Sequence, residues 1–369
     1  MDFDRVQRVL IYRLGSLGDT VVAVPSFHLI ERTFPNAQRV LLTNLPVHSK
    51  APAAFGVLNG SGLVHDFINY PIATRTVAEL ARVWRQIRQF RPQVVVYLTQ
   101  RRAERDVRRD RWFFRLCGVR HVIGLPVGDL NESLYDAAND RWEYEAARLL
   151  RCLADLGQVD PFDLVNWDLR LTMAEEKKAK DLLARLPGTP LIACGPGTKM
   201  QAKDWGEENW RALLTKLSGK MPRHGLILVG AEEDATVADY VGSEWRGPVV
   251  NLCGALTPRE TAAVLQYTEL FLGPDSGPMH LAAAYGVPCA IPFSARMNPG
   301  PWFPIGTKHR VVYHRVVCQN CVLETCIEKK KVCLTSITVD EMFTAALEAW
   351  NNEKMRTAVA VLKRTACTS

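Results

Sequence analysis

Long apolar runs are missing from this chain, and their absence excludes a membrane-spanning protein. No segment of its 369 residues approaches the roughly 20 consecutive apolar residues that a spanning helix needs. A secretory leader is missing as well, because Asp2 and Asp4 stand where a leader would carry basic residues before an apolar stretch. We therefore expect a cytoplasmic protein.

Repeats, low-complexity tracts and a strong excess of one charge are also absent. The 46 lysines and arginines stand against 39 acidic residues, which gives a net charge of +7. This modest surplus suits an anionic small molecule or a membrane surface better than nucleic acid. Lysine is scarce at first, since Lys50 is the only one up to Arg170. The arginines used instead favour bidentate contacts with phosphate or carboxylate, although codon bias explains the choice equally well.

Ten cysteines in a cytoplasmic chain predict reduced thiols rather than a disulfide framework. Six of them stand singly in apolar or helical settings and are interpreted as packing residues. The other four form a cluster at Cys318, Cys321, Cys326 and Cys333. Four thiolates could hold a structural zinc or iron ion. The spacings after the first pair are less typical of a metal site, so a metal-free segment is the alternative.

The sequence does contain an alternation of strand-like and helical segments, and this alternation occurs twice. The first series starts at the buried-strand pattern Val9–Tyr12 and stops at a break near residues 161–172. The second starts at the strand pattern Pro190–Cys194. Such alternation predicts parallel sheets covered by helices, and the length exceeds what one core usually supports. We therefore predict an α/β protein with two Rossmann-like domains, residues 1–170 and 171–345, facing a central cleft.

One junction between a strand and a helix is the most informative feature. The apolar run Leu270–Leu272 is followed by Gly-Pro and then by a helix-forming segment, with Asp275, Ser276 and Gly277 between them. Unpaired N–H groups and the positive end of the helix dipole favour a bound phosphate at such a junction. His280 could donate a hydrogen bond to a phosphate or sugar oxygen, or it could be a core histidine.

A glycine-containing loop at residues 13–20 follows the first predicted strand. Gly18 allows the backbone to approach a ligand, and Asp19 stands at the start of a helix. Alternatively, Asp19 is an N-cap and Gly18 a turn residue. The loop lacks the full dinucleotide fingerprint, so a nicotinamide cofactor is disfavoured.

Two segments of the second series offer further polar side chains. Thr198, Lys199 and Lys203 lie in a glycine-rich loop, where the lysines would offset diphosphate charge or would be solvated surface. After the next strand, Glu233 and Asp234 stand where a ribose hydroxyl is often bound. The alternative is that these carboxylates only stabilise the start of a helix.

Three motifs together resemble glycosyltransferase family 9, the lipopolysaccharide heptosyltransferases: RLGSLGD, PGTKMQAKDWGEENW and DSGPMHLAAAYGVP. Their order and spacing match the family along most of the chain. The resemblance implies a GT-B fold and an inverting, metal-independent transfer of heptose from ADP-heptose, with no cofactor required for catalysis. It implies an acceptor in the lipopolysaccharide inner core at the cytoplasmic face of the inner membrane. The first domain would bind this acceptor, the second would bind the nucleotide sugar, and residues 346–369 would return to the first domain.

The resemblance also implies roles for individual residues. Asp19 resembles the general base that deprotonates the acceptor hydroxyl, with Arg13 and Gly18 on the acceptor side. Lys203 resembles the diphosphate ligand. The other implied donor contacts are Thr198, Lys199, Glu233 or Asp234 for the ribose, and Asp275, Ser276, Gly277 and His280. The chain departs from the family pattern in three places. Gly206 stands where proline commonly follows the Lys-x-Trp tryptophan, and Pro278 lies inside the Asp-Ser-Gly-x-x-His element. Residues Phe293–Phe303 lack the family's usual Gly-Pro-Thr after the last core strand.

A basic run at Arg101–Arg115 contains seven arginines, three acids and three aromatic residues. Such a run could bind RNA, but it is more often a solvated helix face with an apolar edge. Because it follows the strand pattern Val94–Leu98, we interpret it as the rim of an acceptor site. We expect Arg101, Arg102 and Arg105 to contact phosphates or acidic sugars of an anionic glycan or glycolipid, with peripheral contact to the inner membrane.

Other functions stay open at this point. A non-hydrolysing sugar-nucleotide epimerase has a similar two-lobed architecture, but it would need several acid–base residues where the first loop offers only Asp19. A family 9 transferase could also use another nucleotide sugar and an acceptor other than lipopolysaccharide. A nucleic-acid module is disfavoured because the basic charge is spread evenly over the chain.

Overall fold

The computed structural model describes residues 2–44, 54–71, 76–184, 186 and 188–351. The chain divides into two compact units, Met1–Thr172 and Met173–Ser369. Each unit is built on a parallel sheet flanked by helices. Across the described ranges, no helix is both long and apolar enough to cross a membrane.

The first unit contains a five-stranded sheet in the order β3-β2-β1-β4-β5, with every neighbouring pair parallel. Its central strands are buried on both faces, as their continuous apolar sequences require. A short antiparallel pair, β6 and β7, lies outside this sheet. The strands are β1 (Arg8–Tyr12), β2 (Gln38–Thr43), β3 (Asp66–Asn69), β4 (Val94–Tyr97), β5 (His121–Ile123), β6 (Tyr135–Asp136) and β7 (Arg141–Trp142).

The helices of the first unit follow the strands in sequence. The segment between β1 and β2 forms two helices rather than one, because Pro25 has no N–H to donate to the carbonyl of Val21. The described helices are α1 (Leu17–Val22), α2 (Val24–Thr33), α3 (Phe55–Leu58), α4 (Val77–Phe90), α5 (Glu104–Leu116) and α6 (Glu145–Cys152).

The second unit contains a six-stranded parallel sheet in the order β10-β9-β8-β11-β12-β13. Within the unit this is the doubly wound order 3-2-1-4-5-6 of nucleotide-binding folds. Its strands are β8 (Leu191–Cys194), β9 (Gly225–Leu228), β10 (Val249–Asn251), β11 (Leu270–Leu272), β12 (Cys289–Pro292) and β13 (Arg310–Val312). Its helices include α7 (Met173–Leu183), α8 (Glu207–Lys220), α9 (Ala235–Gly242), α10 (Pro258–Leu265), α11 (Gly277–Ala284) and α12 (Val332–Thr335).

Two tryptophans and a terminal helix lie in the core of the second unit. The rings of Trp205 and Trp210 meet edge to face with centroids 4.9 Å apart, and both are buried. Helical residues 339–351 pack against the same core, where Ala346 and Ala349 are fully buried. Of these, residues 346–351 are the described part of the tail predicted for 346–369. The rest of that prediction concerns residues 352–369, which lie outside the described residues.

Candidate active site

Asp19 is held by the first turn of α1. The helix begins at Leu17 with Ser16 as its N-cap, so Asp19 is the third helical residue and not the N-cap. The backbone N–H and the hydroxyl of Ser16 both donate to Asp19 Oδ2, at 2.5 and 2.8 Å. These two bonds fix the rotamer of the Asp19 carboxylate in the first turn of the helix that follows β1.

The other Asp19 carboxylate oxygen has a partner that the sequence did not suggest. Gln100 follows β4, and its Nε2 donates to Asp19 Oδ1. Gln100 could have been found from topology, because β4 lies beside β1 and the carboxyl ends of parallel strands share one edge of the sheet. The two carboxylate oxygens of Asp19 are therefore oriented by different strand ends.

Arg13 supports the same turn through hydrogen bonds to backbone carbonyls. Its side chain is fully buried, and its guanidinium donates to the carbonyls of Asp19 at 2.5 Å and Leu98 at 3.3 Å. A direct contact with an acceptor, as the resemblance implied for Arg13, would require it to leave these bonds. The geometry gives Arg13 a positioning role toward Asp19.

Gly15, rather than Gly18, is the glycine on which the Asp19 turn depends. Gly18 is an interior residue of α1. Gly15 has φ +147°, and a Cβ there would lie 2.5 Å from Asp19 Cβ. The buried Asn44, which follows β2, accepts a 2.8 Å hydrogen bond from the Gly15 N–H. Asn44 is a second positioning residue that the sequence pattern did not indicate.

Two of the three arginines predicted to bind an acceptor are paired within the first unit. Arg101 forms an exposed ion pair with Glu132. Arg102 lies 2.8 Å from Asp110 and also donates to the hydroxyl of Tyr12, in a network that is mostly buried. Arg105, in the first turn of α5, is exposed. Of the three, Arg105 has the guanidinium most accessible to an anionic ligand.

The strand-to-helix junction predicted in the second unit is confirmed. β11 ends at Leu272 and α11 begins at Gly277, with Ser276 as its N-cap. The Ser276 hydroxyl is buried and has no hydrogen-bond partner within the part of the chain that the structure describes. Pro278 occupies the first turn, where its missing N–H breaks no helical hydrogen bond. The turn thus presents a hydroxyl and backbone N–H groups that can bind an anion.

Three residues from two separate motifs meet at this junction. Lys203 Nζ lies 2.6 Å from Asp275 Oδ2 and donates to the Asp275 carbonyl at 3.2 Å. His280 Nε2 lies 3.9 Å from the other Asp275 carboxylate oxygen. The side chains of Asp275 and His280 are almost fully buried. Because a carboxylate repels a diphosphate, Asp275 is better suited to holding Lys203 and His280 than to touching phosphate itself.

The loop after β8 passes directly over the carboxylate of Asp234. A Cβ at Gly197 would lie 2.3 Å from Asp234 Cγ, so only glycine fits there. Asp234 Oδ2 accepts a 2.9 Å hydrogen bond from Ala231 N–H at the start of the next helical turn. Thr198 lies in the same loop, and its hydroxyl accepts a 3.4 Å bond from Met200 N–H. Asp234 therefore contacts both the loop after β8 and the turn before α9, in addition to any contact with a ligand.

Lys199 lies beside two of the predicted ribose contacts. Although its side chain is exposed overall, burial of the ammonium group lowers the pKa of Lys199 to about 8. The charges of Glu233 and Asp234 act in the opposite direction. Lys199 is thus a cation whose charge changes close to neutral pH.

The four clustered cysteines do not form a metal site. In the ranges that the structure describes, no three side chains of His, Cys, Asp or Glu come together in a way that could hold a metal ion. Cys333 is buried, with Sγ 3.7 Å from Ser294 Oγ, whereas Cys321 is exposed. The expected structural zinc or iron ion is therefore not supported.

Residues 318–333, the cysteine-rich segment, brace the loop that carries Lys203. The carbonyl of Glu324 accepts a 3.0 Å bond from Ala202 N–H. Gln201 Oε1 accepts a 2.8 Å bond from Cys326 N–H. Lys331 Nζ, at the end of the segment, lies 3.1 Å from Asp204 Oδ2. Hydrogen bonds and an ion pair connect this segment to the loop.

Comparison with known proteins finds similarity both in sequence and in fold. The chain is similar to lipooligosaccharide heptosyltransferase 2 of Campylobacter jejuni subsp. jejuni serotype O:2, with 22% identity over 94% of this chain and 100% of the relative. Its fold is similar to a glycosyl transferase family 9 protein from Veillonella parvula, with TM-score 0.70, 16% identity, and coverage of 95% of this chain and 98% of the other. It is also similar to E. coli ADP-heptose lps heptosyltransferase II, with TM-score 0.62, 16% identity, and coverage of 94% and 100%.

These similarities confirm the predicted α/β class and the GT-B fold. The model of glycosyltransferase family 9 (heptosyltransferase) matches residues 135–332, which is more than half of the chain. That range includes the Lys203 loop, the junction at Asp275 and most of the second sheet. The chain therefore belongs to glycosyltransferase family 9 and is an enzyme of glycosyl transfer.

Proposed function

We propose that the enzyme transfers heptose from ADP-heptose to an inner-core lipopolysaccharide acceptor by a single, inverting, metal-independent displacement. The observation that carries the proposal is the meeting of Lys203, Asp275 and His280 at the first turn of α11. Family membership and the heptosyltransferases among its relatives support the choice of sugar. In this proposal the first unit binds the acceptor and the second binds the donor.

Asp19 is the proposed general base. The acceptor hydroxyl oxygen forms a bond to the anomeric carbon, its proton passes to a carboxylate oxygen of Asp19, and the bond from that carbon to the ADP diphosphate breaks. Each carboxylate oxygen has two lone pairs. Ser16 donates twice to Oδ2 and Gln100 once to Oδ1, which leaves one lone pair of Oδ1 for the acceptor hydroxyl. A single displacement needs one base and inverts the anomeric centre.

The leaving diphosphate is assigned to the start of α11. Lys203 supplies a cation, and the Ser276 hydroxyl and the first-turn N–H groups supply hydrogen-bond donors. Such preorganised donors stabilise charge that develops on a leaving group. Lys199 would supply a second cation to the diphosphate. Thr198 and one carboxylate of Glu233 or Asp234 would contact the rest of the nucleotide, with the carboxylate on a ribose hydroxyl.

The acceptor side is assigned to the first unit through Arg105 and the neighbouring surface of α5. An anionic acceptor on a lipid would place the enzyme at the cytoplasmic face of the inner membrane. Arg105→Gln should then raise the acceptor KM with little change in kcat, because an exposed guanidinium contributes binding rather than chemistry.

The test of the base is Asp19→Asn. We expect the variant to fold and to bind ADP-heptose, and to lose kcat by about 10²–10⁴-fold, measured as acceptor-dependent ADP release. Near-normal kcat would contradict the assignment. Proton NMR of the product reports the anomeric configuration, and equal rates with and without a chelator are expected.

Two further measurements separate the alternatives. Thermal shifts with ADP-, GDP-, UDP- and dTDP-linked sugars identify the nucleobase, since a tight ligand stabilises the folded state. Incubation with donor alone distinguishes an epimerase, which would change the sugar without an acceptor. Stabilisation by a nucleotide other than ADP would keep the family but replace the donor.

A further inference from the structure

A cavity of about 720 Å³ lies in the first unit at the amino ends of its strands. Its walls come from the residues just before β1, the end of α4, and the residues between α5 and β5. Asp19 and Gln100 follow the carboxyl ends of β1 and β4, so the cavity is at the opposite edge of the sheet. None of the residues assigned to glycosyl transfer lines it.

The lining of this cavity is strongly basic. Four arginines and one carboxylate line it: Arg5, Arg88, Arg91, Arg120 and Asp2. Asp2 is already paired with Arg5 at 2.9 Å. The other three arginines also line the cavity, and the residues that line it include no carboxylate besides Asp2.

Arg88 is placed at the wall by its neighbours. Its guanidinium lies 5.7 Å from the ring centroid of Trp84. Gly118 makes room for it, because a Cβ there would lie 2.9 Å from Arg88 Nη1. Because this stacking already restricts the Arg88 side chain, the side chain loses less conformational entropy when it binds an anion.

Nearby groups that would repel an anion are either hydrogen-bonded or uncharged. The carbonyl of Arg91 accepts a 2.9 Å bond from Arg8 Nε. The carbonyl of Leu116 accepts a 3.0 Å bond from Trp84 Nε1. Burial raises the pKa of the Cys117 thiol to about 12, so it stays uncharged. The negative ends of α4 and α5 are thus partly offset.

We propose that this cavity is a second ligand site, which binds a phosphate-bearing anion. Its volume is in the range of small-molecule sites, and arginine forks match phosphate oxygens. The source is either a soluble phosphate compound or a phospholipid headgroup. Apolar side chains beside the cavity, Trp84, Trp112 and Leu116, are 38%, 65% and 69% exposed and would contact lipid in the second case.

The test compares two triple variants of the full chain with equal loss of charge. Arg88→Gln/Arg91→Gln/Arg120→Gln removes the cavity guanidiniums, and Arg82→Gln/Arg85→Gln/Arg108→Gln removes exposed arginines that do not line it. The probes are pyrophosphate, by calorimetry, and vesicles of phosphatidylglycerol with phosphatidylcholine, by sedimentation. Phosphatidylcholine vesicles are the uncharged control.

We expect the cavity variant to lose at least about tenfold in affinity for one of the two phosphate probes, while the matched variant stays within about threefold of the wild type. Loss with pyrophosphate identifies a soluble ligand, and loss with vesicles alone identifies a headgroup. Pyrophosphate can also bind at the proposed donor site, so Lys203→Met should weaken that component of the titration and leave the cavity component unchanged, which separates the two sites. If the triple variant unfolds, Arg120→Glu repeats the test with one substitution at an exposed position. No binding by the wild type, or equal losses in the two triple variants, would overturn the proposal.

Discussion

The ammonium of Lys203 lies 2.6 Å from a carboxylate oxygen of Asp275, and the two side chains are only 16% and 6% exposed. The pair connects the loop after β8 to the junction before α11. Burying either charge alone is costly, so each partner keeps the other in place. A cation is thereby held at the start of α11, where we propose that the diphosphate binds.

Removing one partner of this pair should destabilise the second unit. We expect Lys203→Met and Asp275→Asn each to lower the free energy of unfolding by about 3–5 kcal/mol, because the remaining group is left buried without its partner. The double variant should lose less than the sum of the two. Equilibrium urea unfolding of the four proteins forms the cycle. Additive losses would show that the two charges do not depend on each other.

Gly15→Ala should reduce turnover by displacing Asp19. The new methyl carbon would lie 2.5 Å from Asp19 Cβ, so the carboxylate must move away from Ser16 and Gln100. A displacement near 1 Å can cost about 100-fold in rate. Gly60→Ala is the matched control, since it also has positive φ but has no atom within 4 Å of a Cβ. Equal kcat for the two alanine variants would contradict this role of Gly15.

Much of the fold could be predicted from the sequence because its central strands are short, continuous apolar segments. β1, β4, β8 and β11 are buried on both faces, and their patterns indicated them to within about one residue. Two of the four edge strands of the large sheets, β3 and β13, were not indicated. β3 and β13 are short, carry polar residues and are only partly buried, so pairing with a neighbour determines them.

The residues of the candidate site divide in the same way, into those that local sequence indicated and those that depend on the order of the strands. Asp19, Lys203 and Asp275 stand in recognisable loops after apolar strands, so position alone singled them out. Asn44 and Gln100 are isolated polar residues whose importance depends on which strands are neighbours. Arg102 shows a related difficulty, since its pairing with Asp110 cannot be inferred from a run of seven arginines.

Donor binding should weaken as the pH rises through about 8. Burial lowers the pKa of Lys199 to about 8, so its ammonium is charged below that pH and neutral above it. A diphosphate binds the charged form, so affinity is complete near pH 6.5 and falls by pH 9. Lys199→Arg stays protonated and should remove the dependence. The dissociation constant of ADP, measured by calorimetry across this range, tests it. A flat profile in the wild type, or the same fall in Lys199→Arg, would contradict the prediction.

Gly206→Pro should destabilise this enzyme although proline commonly stands at that position in the family pattern. Gly206 has φ +101°, which the proline ring cannot adopt. Its N–H also donates a 2.9 Å bond to Asp204 Oδ1, which proline would abolish.

Gly206→Ala is the control, because alanine keeps the N–H and pays only a backbone strain of about 1–3 kcal/mol. We expect the proline variant to be less stable than the alanine variant in thermal unfolding. It should also bind ADP more weakly, since Asp204 is braced by Lys331 beside the Lys203 loop. A proline variant as stable as the wild type would mean that the loop can adopt a second backbone conformation at this position.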